Sequence, residues 1–135
     1  MSTDRNAPPK TGWAKIVTEL HVTDLEVSLA FWKDIIGFEI AYRREAEKFV
    51  YLEHPEGQQI MLCQQHGRFD TGSMQPPLGQ GAMFQIYFRI SARFWPISVP
   101  KIGPSTSVHA KFGGKQATVS PVSRRSLFRT LTVIC

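Results

Sequence analysis

The sequence has little of what marks exported, membrane or metal-cluster proteins. It has two cysteines in 135 residues, Cys63 and Cys135, whose separation favours neither a disulfide framework nor a zinc pattern. It has no long apolar run, and the polar, proline-containing residues 1–10 have neither signal-peptide nor transmembrane character. We therefore expect a cytoplasmic protein of one small domain, without membrane association.

Acidic residues are missing from the last third of the chain. All 11 lie between Asp4 and Asp70, whereas the 16 basic residues divide into eight up to Arg68 and eight from Arg89 onward. The overall charge of +5 is therefore −3 before Arg89 and +8 after it. Because such a composition is unusual for a globular domain, we interpret residues 89–135 as an atypical basic tail.

What is present is a regular alternation of strand and helix patterns. Residues 15–23 alternate apolar and polar side chains with a period of two, which predicts a half-buried strand. Asp24 is a helix N-cap and Gly37 a helix stop, so the apolar spacing between them predicts a helix of about three turns. Three short runs rich in β-branched and aromatic residues follow and complete a βαβββ order: 38–43, 48–53 and 59–64.

The same patterns divide the chain into segments. Residues 1–12 are expected to be a flexible leader and 13–67 a first βαβββ module. Gly, Pro and Ser concentrate in residues 68–81, which we interpret as a linker. We interpret residues 82–88 as the first strand of a second module. Beyond it, prolines interrupt every periodicity, and only residues 126–134 are strand-like.

One stretch of the sequence carries a longer motif. The run TELHVTDLE from Thr18, followed by SLAFW and IGF up to Phe38, resembles the signature L-x-V-x-D-L-x-x-S-L-x-F-[YW]-x-x-x-L-G-F of the vicinal-oxygen-chelate (glyoxalase / bleomycin-resistance / dioxygenase) superfamily. The resemblance covers residues 13–88. It implies an α+β fold in which two βαβββ modules curl around a cavity that a second subunit often completes; here the second module is incomplete.

The basic tail resembles the same superfamily in another reading frame. If each codon takes the last base of one residue and the first two of the next, residues 126–135 can encode F-V-Q-D-P-D-G-Y-L, which is similar to the closing signature of the second module. Residues 116–123 similarly permit A-G-D-R-E-[SP]-G-Q. We therefore hypothesise a frameshift near residues 88–91; the alternative is a genuine basic extension.

Metal-dependent members of the superfamily place His, Gln or Glu on the concave face of the sheet. The resemblance aligns these ligand positions with Val17, Met61 and Met83, none of which binds a hard cation. No nucleophile can be paired with a general base by spacing. We therefore predict no metal, no cofactor and no catalytic residue, with a glyoxalase-like lyase or ring-cleaving dioxygenase as the alternative.

The residues expected to face the cavity suit a ligand instead of a metal. By alternation, aromatic and soft apolar side chains share one face with two glutamates, Glu19 and Glu53, a lining suited to a flat, partly cationic molecule. Packing against a second module or subunit is the alternative of equal weight. His54 and His66 are expected to face solvent. The predicted ligand-binding residues are Glu19, His21, Phe49, Tyr51, Met61, Cys63, Met83 and Gln85.

These features together favour a bleomycin-resistance-like binding protein. The resemblance implies a homodimer that sequesters a small drug or metabolite and so gives antibiotic resistance without chemistry. The +8 tail raises a nucleic-acid-binding alternative, but its basic residues have no aromatic interleaving or recognisable binding motif. We therefore predict a small-molecule ligand and no nucleic-acid partner.

Overall fold

A computed structural model describes residues 7–66, 72–75, 78, 82–89, 108–112, 115–121 and 128–134. The chain divides into two compact units, Met1–Leu78 and Gly79–Cys135. The boundary falls within the predicted linker 68–81. No helix in the described parts of the chain is long and apolar enough to cross a membrane.

The first unit is a four-stranded mixed sheet with one helix, in the order βαβββ. Its strands are β1 (Thr18–Val22), β2 (Glu39–Arg44), β3 (Phe49–Glu53) and β4 (Gln59–Gln64), arranged β1-β4-β3-β2. Strand β1 runs parallel to β4, and the other pairs are antiparallel. The predicted α+β class and the βαβββ order are confirmed.

The helix begins and ends where the sequence predicts. The Asp24 side chain accepts a hydrogen bond from the Val27 N–H at 3.0 Å, which caps helix α1 (Leu25–Leu29). Gly37, with a left-handed φ of 96°, ends the helical run. Between them the winding differs from an ordinary α-helix, because Ala30–Ile36 forms a π-helical segment.

The core lies between the helix and one face of the sheet. Val50, Leu52 and Leu62 are fully covered, and the helical Phe31 and Trp32 pack at right angles to each other with ring centroids 5.4 Å apart. This confirms the interpretation of the helical apolar stripe as the surface that seats the helix on the sheet. A second cluster of buried residues lies on the opposite face of the sheet and includes Phe49, Tyr51 and Cys63.

The second unit is also a four-stranded sheet, formed by β5 (Met83–Arg89), β6 (Val108–Phe112), β7 (Lys115–Pro121) and β8 (Phe128–Ile134). The order is β5-β8-β7-β6, and all three pairs are antiparallel. The predicted strand-like run 126–134 coincides with β8, whereas β6 and β7 are strands that the sequence patterns did not indicate. In the first unit, by contrast, the first and last strands are parallel.

Candidate functional site

Six of the eight predicted ligand-binding residues share the sheet face opposite the helix. Pairing between β1 and β4 sets Glu19 beside Met61 and His21 beside Cys63, and pairing between β4 and β3 sets Tyr51 beside Met61. Two rows of side chains result, each crossing all four strands. We call this surface the aromatic face; it comprises Glu19, His21, Tyr42, Arg44, Phe49, Tyr51, Met61 and Cys63.

The rings on the aromatic face contact one another directly. Tyr42 stacks on Tyr51 with ring centroids 5.4 Å apart and lies 5.7 Å from Phe49. The guanidinium of Arg44 lies over the Phe49 ring, 4.1 Å from its centroid. Phe49 therefore already takes part in a cation–π contact within the chain.

The predicted residues differ in accessibility. Phe49, Tyr51 and Cys63 are buried, so they form a floor, whereas Glu19 and Met61 reach the surface. Burial, Tyr42 and Glu53 together raise the pKa of Tyr51, which keeps its hydroxyl protonated. A molecule approaching this face would therefore contact its rim before its floor.

The negative charge on the aromatic face comes from Glu19, whereas Arg44 contributes a positive charge at its other end. The Glu19 carboxylate lies 3.3 Å from the Nε2 atom of His21, and neither side chain is fully buried. Burial and the Glu19 charge raise the pKa of the Cys63 thiol, against the opposing effect of Arg44. The thiol is therefore neutral and is a wall group instead of a nucleophile.

Val17 and Met61, two of the three positions that the sequence resemblance aligned with metal ligands, are partly buried apolar residues packed against the same cluster. Among the residues that the structure describes, no three His, Cys, Asp or Glu side chains are grouped to hold a metal ion. The buried residues at the centre of the face are aromatic or apolar, with the Cys63 thiol among them.

The remaining predicted residues lie elsewhere. Met83 and Gln85 are on β5 in the second unit, on an exposed face that they share with Tyr87. The Tyr87 hydroxyl donates to the Gln85 side-chain oxygen at 3.4 Å. Within the second unit, these three side chains form an accessible polar and apolar strip.

The prediction for His54 was wrong, whereas His66 is exposed as expected. His54 is only 1% exposed, packs against Phe38 with ring centroids 5.3 Å apart, and accepts a hydrogen bond at Nδ1 from the Glu56 N–H. Burial lowers its pKa, although Glu56, Gln58 and Glu39 act in the opposite direction. Its turn-like neighbours in sequence concealed this burial, because the turn folds back against the end of the helix.

A separate cavity of about 340 Å³ lies beside the turn Glu45–Glu47. Its lining residues are not those of the aromatic face, although one of them, His66, has its Nε2 atom 3.5 Å from the Cys63 Sγ atom of that face. The residues around it are mostly charged or polar, unlike the lining predicted for the ligand. They are Ala46, Glu47, Lys48, Gln65 and His66.

The sequence patterns missed the segment that precedes β1. We call residues 9–14 the strap. Glu53 accepts hydrogen bonds from the Lys10 N–H at 2.7 Å and from the Thr11 N–H at 2.8 Å. Part of the predicted flexible leader, 1–12, is therefore fixed to the sheet; residues 1–6 lie outside the described residues. The one signal in the sequence was Glu53, an acid within a predicted strand, because an acid that becomes buried needs a partner.

The fold and the aromatic face define an α+β protein whose βαβββ unit presents a ring-lined surface. No protein-family profile matches the chain, and no curated protein matches it. Among solved structures, the chain is similar to a crystal structure of a glyoxalase/bleomycin resistance protein/dioxygenase superfamily member from Vibrio splendidus 12B01. The likeness has 20% sequence identity and a TM-score of 0.33 and covers 82% of this chain and 91% of that chain.

Proposed function

We propose that this chain is a binding protein of the bleomycin-resistance type within the vicinal-oxygen-chelate superfamily. It holds a flat, partly cationic small molecule against the aromatic face and sequesters it without chemical change. The observation that carries this proposal is the grouping of Tyr42, Phe49 and Tyr51 on one sheet face with the carboxylate of Glu19 at its rim.

Binding is favoured over metal-dependent catalysis by the residue types on this face. Val17 and Met61 offer methyl groups and a thioether where a hard cation needs nitrogen or oxygen donors. A thioether and aromatic rings are instead well suited to a polarisable planar ligand. The glyoxalase-like or dioxygenase alternative therefore has no support in the described residues.

Two further parts of the proposal concern the rest of the molecule. We propose that a second copy of the chain completes the cavity, as in superfamily members that bind across a dimer interface. We also propose that residues beyond Phe88 are translated out of frame. The antiparallel pairing of β5 with β8 supports this second point, because a βαβββ module pairs its first and last strands in parallel, as β1 and β4 do.

Reversal of the charge at the rim tests the binding proposal. Calorimetric titration with metal-free bleomycin, copper-loaded bleomycin and proflavine, a planar aromatic cation, should show binding of at least one to the 135-residue chain. Glu19→Lys should weaken that binding about tenfold or more, since a favourable charge contact becomes repulsive.

Asp34→Lys is the matched control, because Asp34 is an exposed acid on the helix and the same change in net charge occurs away from the aromatic face. Its affinity should equal that of the unmodified chain. Absence of binding to all three probes, or equal weakening by both substitutions, would contradict the proposal.

A further inference from the structure

The strap is held by two side chains at the ends of β3 and β4. Glu53 accepts a third hydrogen bond, from the Thr11 hydroxyl at 2.6 Å. Gln59, the register partner of Glu53, donates to the Gly12 carbonyl at 2.6 Å and accepts from the Ala14 N–H at 3.0 Å. Gln59 also donates to the Thr11 hydroxyl at 3.1 Å, so six hydrogen bonds fix the strap on both sides of residue 13.

The residue so bracketed is Trp13. Its ring meets Tyr51 edge to face, with centroids 5.2 Å apart, and meets Tyr42 at 6.0 Å. Yet Trp13 is 58% exposed. The backbone on either side is anchored, whereas the indole itself keeps more than half of its surface in water.

The exposed part of the indole is apolar surface that a ligand could cover. An indole that served only to seat the strap would be expected to be buried, because its stabilising effect comes from apolar surface removed from water. The hydrogen bonds to Glu53 and Gln59 already hold the strap. Large aromatic side chains that are fixed in position and exposed are typical of binding surfaces, since little conformational freedom is lost when they meet a ligand.

The position of the indole relative to Glu19 sets the size of the ligand. Tyr51, Met61 and Glu19 lie in one row on β3, β4 and β1. Neighbouring strands are about 4.8 Å apart, so about 10 Å separates the backbones of Tyr51 and Glu19. With the indole above one end and the carboxylate at the other, the row suits a small fused ring system that carries a positive charge.

We propose that Trp13 is a ligand-contacting residue of the aromatic face, and that Glu53 and Gln59 are positioning residues that hold it through the strap. The ligand class is a planar aromatic cation that lies along the row from the indole to Glu19. This inference rests on the proposed binding function and adds to it the residue that a ligand meets first.

Binding of proflavine to the full 135-residue chain tests the role of the indole. Trp13→Ala should weaken binding about tenfold, since one aromatic stacking contact is lost, and Trp13→Phe should restore most of the affinity. Val27→Ala is the control, because Val27 is also an exposed apolar residue but belongs to the helix on the other side of the sheet. Its dissociation constant should be unchanged.

The positioning role has a readout that needs no ligand. Glu53→Gln places an amide group against donors that need a carboxylate, so the strap should loosen. The fluorescence of Trp13 is obtained by subtracting the emission of a matching chain that carries Trp13→Phe. Acrylamide should quench this fluorescence more strongly in Glu53→Gln than in the unmodified chain. Glu39→Gln is the matched control; Glu39 contacts the strap only through an exposed ion pair with the Lys10 side chain.

The outcomes separate this inference from the proposed function. If Glu19→Lys abolishes proflavine binding while Trp13→Ala binds as the unmodified chain does, the inference is overturned and the proposed function stands. Equal quenching in Glu53→Gln and Glu39→Gln overturns the positioning role. Absence of proflavine and bleomycin binding to the unmodified chain overturns both. Far-ultraviolet circular dichroism of each variant distinguishes loss of contact from loss of fold.

Discussion

Glu53 is the last residue of β3, and His54 follows it directly; both are buried. The fold lowers the pKa of each, which favours the charged form of the acid and the neutral form of the histidine. Burial alone would raise the pKa of Glu53, but hydrogen bonds from Thr11 and Lys10 and the charge of Lys10 outweigh it and lower the pKa. Burial lowers the pKa of His54 below its ordinary value of 6.5. The folded state therefore favours a charged glutamate beside a neutral histidine.

The two residues should destabilise the fold in separate pH ranges. Below 6.5 the unfolded chain takes up a proton on His54 before the folded chain does, so stability falls as the pH falls toward the lower folded-state pKa. For Glu53 the corresponding loss begins below its ordinary value of 4.5, as the pH falls toward the depressed folded-state value. Acid should therefore weaken the fold in two steps.

Substitution of His54 should remove the first step alone. Urea unfolding between about pH 7.5 and about pH 5.5 should show a declining free energy of unfolding in the unmodified chain and a flat profile in His54→Asn, whose side-chain oxygen can still accept the bond from the Glu56 N–H. His66→Asn, an exposed control, should keep the decline. A decline of equal size in His54→Asn would show that other groups cause it.

Among the elements, the helix was predicted well at its ends and less well in its winding. Asp24 and Gly37 are local signals, since a capping side chain and a left-handed residue act on their immediate neighbours. Ala30–Ile36 was expected to be α-helical. Over two turns, the spacing of buried residues such as Phe31, Trp32 and Ile36 does not distinguish a π-helix from an α-helix.

Replacement of Gly37 should measure what its conformation contributes. With φ at 96°, an alanine there would be strained, whereas the nearest atom to an added methyl group, His54 Nε2 at 3.6 Å, leaves room for it. Gly37→Ala should therefore lower the free energy of unfolding by about 1–2 kcal/mol through backbone strain. The change in the free energy of unfolding follows from the shift of the urea midpoint, provided that the slope of the free energy against urea concentration is the same in both chains.

Gly72→Ala is the control, because Gly72 has no left-handed φ and no atom within 4 Å of an added methyl group. It should change stability by less than about 0.5 kcal/mol, as is usual for surface substitutions. Equal effects of the two substitutions would show that the cost at Gly37 is not conformational.

The strands of the first unit were also predictable, and with them most of the aromatic face. Side chains alternate between the two faces of a strand, so Phe49, Tyr51, Met61 and Cys63 share one face of the sheet. This holds independently of what packs against the sheet. The strap could not be predicted, since its bonds join Lys10 and Thr11 to a residue more than 40 positions away, and its composition is that of a loop. Trp13 consequently did not enter the predicted site.

At the scale of the whole molecule, the two units differ in how they are built. The first has the parallel β1–β4 pair that a helical crossover requires, whereas the second pairs β5 with β8 in antiparallel fashion. The acidic residues of the chain end at Asp70, within the first unit. Composition and topology therefore change together after the linker.

The proposed shift of reading frame would account for both changes. The coding DNA should contain, out of frame, the codons for D-P-D-G-Y-L near its end, with an inserted or deleted base near the codons for residues 88–91. A frame-restored chain should then regain acidic residues after Phe88. Coding DNA that lacks the out-of-frame motif would contradict the proposal and leave the basic extension as the explanation.

The behaviour of the translated protein follows from the same proposal. Under this proposal the chain lacks a second βαβββ module that would pack against the aromatic face, and apolar surface without its partner promotes association. As its concentration rises, the 135-residue chain should form heterogeneous aggregates in size-exclusion chromatography with light scattering, whereas the frame-restored chain should remain a dimer. The opposite result, a monodisperse dimer of the 135-residue chain with a cooperative thermal transition, would contradict the proposal.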